Sequence, residues 1–272
     1  MTKTKAIPLS VQEILRQIRE KNYANLPVTI PESDIKVAMD DFFRFLDLPQ
    51  DVKNKFWHML DIKNHGSEVG YARKSIENGD LDEKEFFHFT PYSEDAFRHR
   101  PEMDIQEVRQ FFASAKNILD QVTAIVDGLL EIFEAEYPGI KKKFLPGDMR
   151  PFFCLRFLKY DAAPKGEFLA KGHYDRGTMT LAIAESAPGL RIGRNEALLK
   201  PVDRSEGSVL FMPGFRLQDI VPPEQFPPAW HDVVQSSDHE FKPGAARWAM
   251  VFFADTVKQN HTDWAEVHKP KE

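Results

Sequence analysis

Two hydrophobic periods divide this chain, and the border between them lies near residue 150. Upstream, Ile105, Val108, Phe111, Phe112, Ala115, Ile118, Leu119, Val122, Ile125, Leu129 and Ile132 recur mostly at steps of three and four. That is the repeat of a helix with one buried face. The run covers residues 105–136, and Pro138-Gly139 stops it. Downstream, Phe152–Tyr160, Thr178–Ala184, Ser208–Met212 and Ala246–Ala254 read as strands. Pro188-Gly189, Pro213-Gly214 and Pro243-Gly244 mark turns between them. A long amphipathic helix followed by short strands with glycine and proline turns restricts the architecture to helices packed on an antiparallel β structure. The expected class is α+β, mainly β.

The first hundred residues carry weaker signals. Val11, Ile14, Leu15 and Ile18 share one face of a first helix, with Ser10 as its N-cap. Val37, Met39, Phe42, Phe43 and Phe45 suggest a second. Pro49, Gln50 and Asp51 open a further run through Val52, Phe56 and Leu60. Residues 61–104 are rich in charge, glycine and proline and read as loops with short strands, such as Glu85–Thr90.

The bulk numbers exclude some classes. At 42% hydrophobic, 272 residues can bury a sizeable core, and 22 phenylalanines point to broad aromatic packing. A net charge of −6 argues against a general nucleic-acid binder. The single cysteine, Cys154, permits no internal disulfide and reads as core. No apolar run of about 18 residues suits a membrane span, and the lysine-bearing start lacks a signal-peptide core. A soluble cytoplasmic protein is expected; the oligomeric state is not legible.

His173 and Asp175 are spaced i, i+2, so in extended backbone they share a face and can chelate one ion. Gly172 and Gly177 flank them and permit a sharp bend. His231, after a proline-rich loop and before Val233-Val234, can bring a third ligand from a neighbouring strand. Two imidazoles and one carboxylate form the facial set that holds ferrous iron and leaves positions open for oxygen chemistry. The alternative is a solvated turn. A second triplet, His261-Thr262-Asp263, has only His268 after it and no later strand, and is set aside. In Ala246–Ala254, Arg247, Ala249, Val251 and Phe253 share one face, and Trp248, Met250 and Phe252 the other. An arginine in so apolar a run needs an anion. A bound carboxylate and an internal ion pair both satisfy that need.

These residues, in this order, resemble the isopenicillin N synthase-like family of Fe(II)- and 2-oxoglutarate-dependent dioxygenases. The resemblance rests on LRFLKYDAAP, GHYDRGTMTLAIAESAPGLRI, GSVLFMPGFRLQDIVPPEQFPPAWHDVV and RWAMVFFAD. It is looser in the first half, at Phe42-Phe43, Leu48-Pro49, Gly70-Tyr71 and Lys84-Glu85. It implies a double-stranded β-helix, or jelly roll, with 1–104 as an N-terminal helical and loop region packing on the core. The remainder, 105–272, would be a backing helix plus the oxygenase core. It implies His173, Asp175 and His231 as metal ligands, and Arg247 with Tyr160 at the distal carboxylate of 2-oxoglutarate. Fe(II), 2-oxoglutarate and O2 would then serve the oxidation of a small-molecule substrate.

Two departures stand out. Ala249 occupies the position where the family usually has serine, which removes one hydroxyl donor to the co-substrate. That leaves open weaker 2-oxoglutarate binding, a substitute donor, or an Fe(II) oxidase independent of 2-oxoglutarate; a jelly-roll binding protein without turnover is a separate alternative. Arg176 follows the acidic ligand and is read either as a contact to an anionic substrate or as a surface arginine. Tyr71, Arg73 and Lys74 are read as pocket-mouth residues or a solvated loop, His88 as a packed strand histidine, and Trp230 as a wall of the site or simple packing.

Overall fold

Alternation along most of two strands builds the molecule around a cavity. The computed structural model describes residues 7–59, 68–80, 82–145, 151–237 and 240–256. In β5 (Phe152–Asp161), Phe153, Leu155 and Phe157 join the main core under the helices. Arg156, Leu158 and Tyr160 line the cavity on the other face. In β12 (Ala245–Asp255), Met250, Phe252 and Ala254 go to the core, while Arg247, Ala249, Val251 and Phe253 face the cavity. The two faces are those that period-2 alternation predicts.

The helices are α1 (Val11–Lys21), α2 (Glu32–Leu46), α3 (Gln50–Lys53), α4 (Ser93–Phe97), α5 (Gln106–Glu136) and α6 (Ile140–Phe144). Ser10 caps α1 by accepting from the Glu13 amide at 3.2 Å. The remaining strands are β1 (Ala24–Leu26), β2 (Trp57–Met59), β3 (Glu68–Lys74), β4 (Lys84–Phe89), β6 (Phe168–Tyr174), β7 (Met179–Glu185), β8 (Leu190–Gly193), β9 (Lys200–Pro201), β10 (Val209–Pro213) and β11 (Trp230–Val234).

Every strand pairing among the described residues is antiparallel. One sheet has the order β1-β10-β7-β12-β5-β4-β3-β2, the other β6-β11-β8-β9. The cavity lies between them, lined from both, as in a jelly roll. The 31-residue α5 and its neighbour α2 cover the outer face of the large sheet. There Phe42, Phe45, Phe87, Phe111, Phe112 and Phe157 meet at centroid separations of 5.0–6.2 Å, mostly tilted or edge-on. Each such pair contributes about 0.5–1.5 kcal/mol beyond its buried area.

Three sequence expectations need correction. The run opened at Pro49 makes only the four-residue α3 and then turns into β2. Phe56, counted on its helical face, is buried between Phe45, Phe97 and Phe112. The 61–104 stretch holds more strand than expected, since β3 and β4 extend the large sheet beyond β5. Gly172 and Gly177 do not adopt positive φ. A Cβ on Gly172 would lie 2.8 Å from the Trp230 ring, and one on Gly177 would lie 2.7 Å from the Asp255 carboxylate, so space is what demands glycine there.

Candidate metal centre

A β-bulge aims the first ligand. His231 of β11 pairs with His173 of β6, but Val233 pairs with Ala170. Two steps on β11 therefore oppose three on β6. The extra residue at Lys171-Gly172 puts His173 on the same face as Ala170, and both line the cavity. Asp175 follows immediately after the end of β6.

The three side chains converge. One ligand atom from each of His173, Asp175 and His231 lies within 4.8 Å of the other two. His173 Nε2 is 3.7 Å from Asp175 Oδ1, and His231 Nε2 is 3.6 Å from Asp175 Oδ2. Those separations exceed a hydrogen bond, so the groups surround a point rather than bond one another. Each imidazole is oriented through its other nitrogen. His173 Nδ1 lies 2.7 Å from the Lys171 carbonyl, and His231 Nδ1 lies 3.0 Å from the Ala229 carbonyl. Donation by Nδ1–H to a carbonyl leaves the Nε2 lone pair facing the common point, the usual outer support of a metal-bound histidine. Thr180 donates to Asp175 Oδ2 at 2.7 Å and fixes the carboxylate.

The electrostatics suit a cation. Partial burial, and then the second imidazole, lower the His173 pKa below the ordinary histidine range, which favours the neutral ligand form. Burial opposes ionisation of Asp175, but His231, His173 and the Thr180 hydroxyl outweigh it and lower its pKa. Two imidazoles and one carboxylate, partly open to the cavity, fit ferrous iron.

Arg247 lies on the same cavity wall and is 1% exposed. Its Nη2 donates to Glu185, and its Nε is buried with no hydrogen-bond partner among the described residues. The internal ion pair, one of the two readings of this arginine, is thus present. The Tyr160 ring lies 5.8 Å from the Arg247 guanidinium. Tyr160 is buried against the cavity, and its hydroxyl makes no hydrogen bond among the described residues.

Other sequence candidates fall elsewhere. Tyr71 is 3% exposed on the helix side, packs on Phe45, and donates to Glu85 at 2.7 Å. It does not line the cavity. Arg73 reaches Glu83 and Asp161, and Lys74 is exposed near Asp80, both away from the site. Arg176 is exposed and does not line the cavity. Trp230 packs edge-on against Tyr174 at 4.8 Å and covers Gly172, so it buttresses the ligand strands. Cys154 is half-buried rather than core. The second His-x-Asp triplet, 261–263, lies outside the described residues.

Sequence reasoning missed three cavity residues: Arg156, Lys84 and Glu185. Arg156 was legible as an inward position, because it shares its face of β5 with Tyr160.

No family model matches the chain. No curated protein matches it either. Solved structures do. A 2OG-Fe(II) oxygenase family protein of Caulobacter crescentus is 21% identical with a TM-score of 0.69, over 92% of this chain and 82% of that one. JOX2 in complex with 2OG, Fe and JA is 16% identical with a TM-score of 0.65, over 94% and 76%. The Arabidopsis thaliana dioxygenase for auxin oxidation 1, as its 2-oxoglutarate complex, is 16% identical with a TM-score of 0.64, over 94% and 93%. These likenesses show the fold, a jelly roll that this chain shares with those structures. On that fold, this chain carries a His-Asp-His set at the cavity wall and an arginine of the same wall joined to a glutamate.

Proposed function

We propose that the protein is a non-haem Fe(II)- and 2-oxoglutarate-dependent dioxygenase that oxidises a small molecule. The observation that carries this reading is the His173–Asp175–His231 set in a cavity that also holds a buried guanidinium, Arg247. Bound iron with 2-oxoglutarate supplies the oxidising chemistry. With both bound, one atom of O2 would go to the substrate C–H bond and the other to the succinate formed as CO2 is released. The chain's own residues do the rest. His173, Asp175 and His231 hold the metal, with the Lys171 and Ala229 carbonyls and Thr180 fixing their aim. Arg247 and the Tyr160 hydroxyl receive the distal carboxylate of 2-oxoglutarate, with Tyr160 supplying the hydroxyl that Ala249 lacks. The apolar walls Leu158, Val251 and Met212 exclude water.

The substrate in this reading is a small molecule with an anionic group. The support is Arg156, not Arg176. Its guanidinium lines the cavity between the rings of Phe86 and Phe253, at 5.4 and 4.7 Å, and forms no ion pair among the described residues. No helix among the described residues is long and apolar enough to cross a membrane. A cytoplasmic setting is part of the proposal.

The test is succinate release from 2-oxoglutarate across a panel of small carboxylic acids. A substrate-dependent rise in succinate matched by oxidised product supports the reading. Oxygen uptake and product without succinate would replace it with the 2-oxoglutarate-independent Fe(II) oxidase that Ala249 and the Arg247–Glu185 pair favour.

A further inference from the structure

The anion partner of Arg247 comes from an irregularity in β7. Ala249 pairs with Glu185 and Met250 with Ala184, but Val251 pairs with Ala182. An extra residue at Ile183 bulges the strand. Without it, alternation would put Glu185 on the face opposite Ala182, against the helix layer. With it, Ala182 and Glu185 both line the cavity. The Glu185 carboxylate then accepts from Arg247 Nη2. Its side chain is 21% exposed, while that of Arg247 is 1% exposed. A ligand in the cavity that reaches for this guanidinium thus meets a protein carboxylate.

We propose that Glu185 is a built-in counter-ion of Arg247 that competes with the distal carboxylate of 2-oxoglutarate and thereby sets the co-substrate affinity. This rests on the function proposed above. A buried guanidinium left without an anion is strongly unfavourable. In the ligand-free protein, Glu185 relieves that penalty. A ligand carboxylate arriving at Arg247 either displaces Glu185 or sits beside a like charge, and both weaken binding. Tyr160 offers one hydroxyl there, and Ala249 adds no second one to offset the loss. Removing the negative charge at 185 therefore raises the free energy of the empty site more than that of the filled one, so the ligand binds more tightly.

The experiment is anaerobic calorimetric titration of 2-oxoglutarate into the Fe(II)-loaded wild type, Glu185→Gln and Glu185→Asp, with melting temperatures taken with and without ligand. The expected result is that Glu185→Gln binds 2-oxoglutarate at least about fivefold more tightly, the low end of ordinary site coupling. Its melting temperature falls without ligand and recovers more than that of wild type on ligand addition. Glu185→Asp, which keeps the charge but draws it back by one methylene, falls between, and it provides the comparison if the glutamine variant does not fold. Binding by Glu185→Gln without detectable binding by wild type also supports the proposal. Equal or weaker binding by the variants overturns it and leaves the dioxygenase reading standing. Iron binding with no 2-oxoglutarate binding by any of the three proteins overturns both.

Discussion

Arg156 Nε donates to His88 Nε2 across 2.7 Å, from β5 to the neighbouring β4. The imidazole must accept there, so its proton sits on Nδ1, 3.3 Å from the Glu68 carbonyl. Burial first, and then the Arg156 charge, hold the His88 pKa well below the ordinary histidine range. A neutral histidine thus orients an arginine that lines the cavity. His88, read from sequence as a packed strand residue, does pack, and it also positions Arg156.

Arg156 gives the first prediction. Arg156→Ala lowers the preference for a carboxylic acid over its neutral amide by about tenfold or more, the scale of one lost charged hydrogen bond. Iron affinity stays unchanged. His88→Gln weakens the same preference less, because an amide can still accept from Nε. The check is kcat/KM for matched acid and amide pairs. An unchanged ratio in Arg156→Ala would remove Arg156 from substrate recognition.

Glu85 makes folding acid-sensitive. Burial opposes its ionisation, but hydrogen bonds from Lys159 and Tyr71 and the charges of Lys159 and Lys53 outweigh it and bring its pKa from 4.5 to about 2. Lys53 and Lys159 lie 3.1 and 2.9 Å from its carboxylate. A lowered folded-state pKa adds stability that is present above about pH 4.5 and is lost as the pH falls through about 2. Its contribution at pH 7 is on the order of 3 kcal/mol. Urea midpoints between pH 7 and 2 should therefore decline in wild type. Glu85→Gln should start lower and decline less steeply below pH 4.5. Parallel curves would refute this.

Gly172 is a packing requirement next to a ligand. Gly172→Ala drives a methyl group into the Trp230 ring, which separates the strands that carry His173 and His231. A loss of about 1–3 kcal/mol in stability is expected from such overpacking. Iron affinity should fall with it. Melting temperature and iron titration check both, and an unchanged variant would show that the indole moves freely.

The fold is legible where a period is long and regular. The α5 repeat, the faces of β5 and β12 and the Ser10 cap are all readable, because alternation and capping are local. The bulges are not. One extra residue at Lys171-Gly172 and another at Ile183 reverse the facing of His173 and Glu185; Gly172 is a local sign of the first, and nothing local marks the second. Arg247 reads from sequence as needing an anion, but its partner lies 62 residues upstream on another strand. Tyr71 escapes placement for a related reason. Its face of β3 depends on pairing with β4, which the charged, glycine-rich stretch conceals.

Anaerobic titration with Fe(II) and then 2-oxoglutarate, followed by visible absorption, tests the metal centre most directly. One Fe(II) per chain should bind, and 2-oxoglutarate should then produce a metal-to-ligand charge-transfer band. Both should be lost in Asp175→Ala and in His231→Ala while far-ultraviolet circular dichroism is retained. Absence of iron binding in the wild type, or undiminished binding in those variants, would contradict the assignment of His173, Asp175 and His231 as the iron ligands.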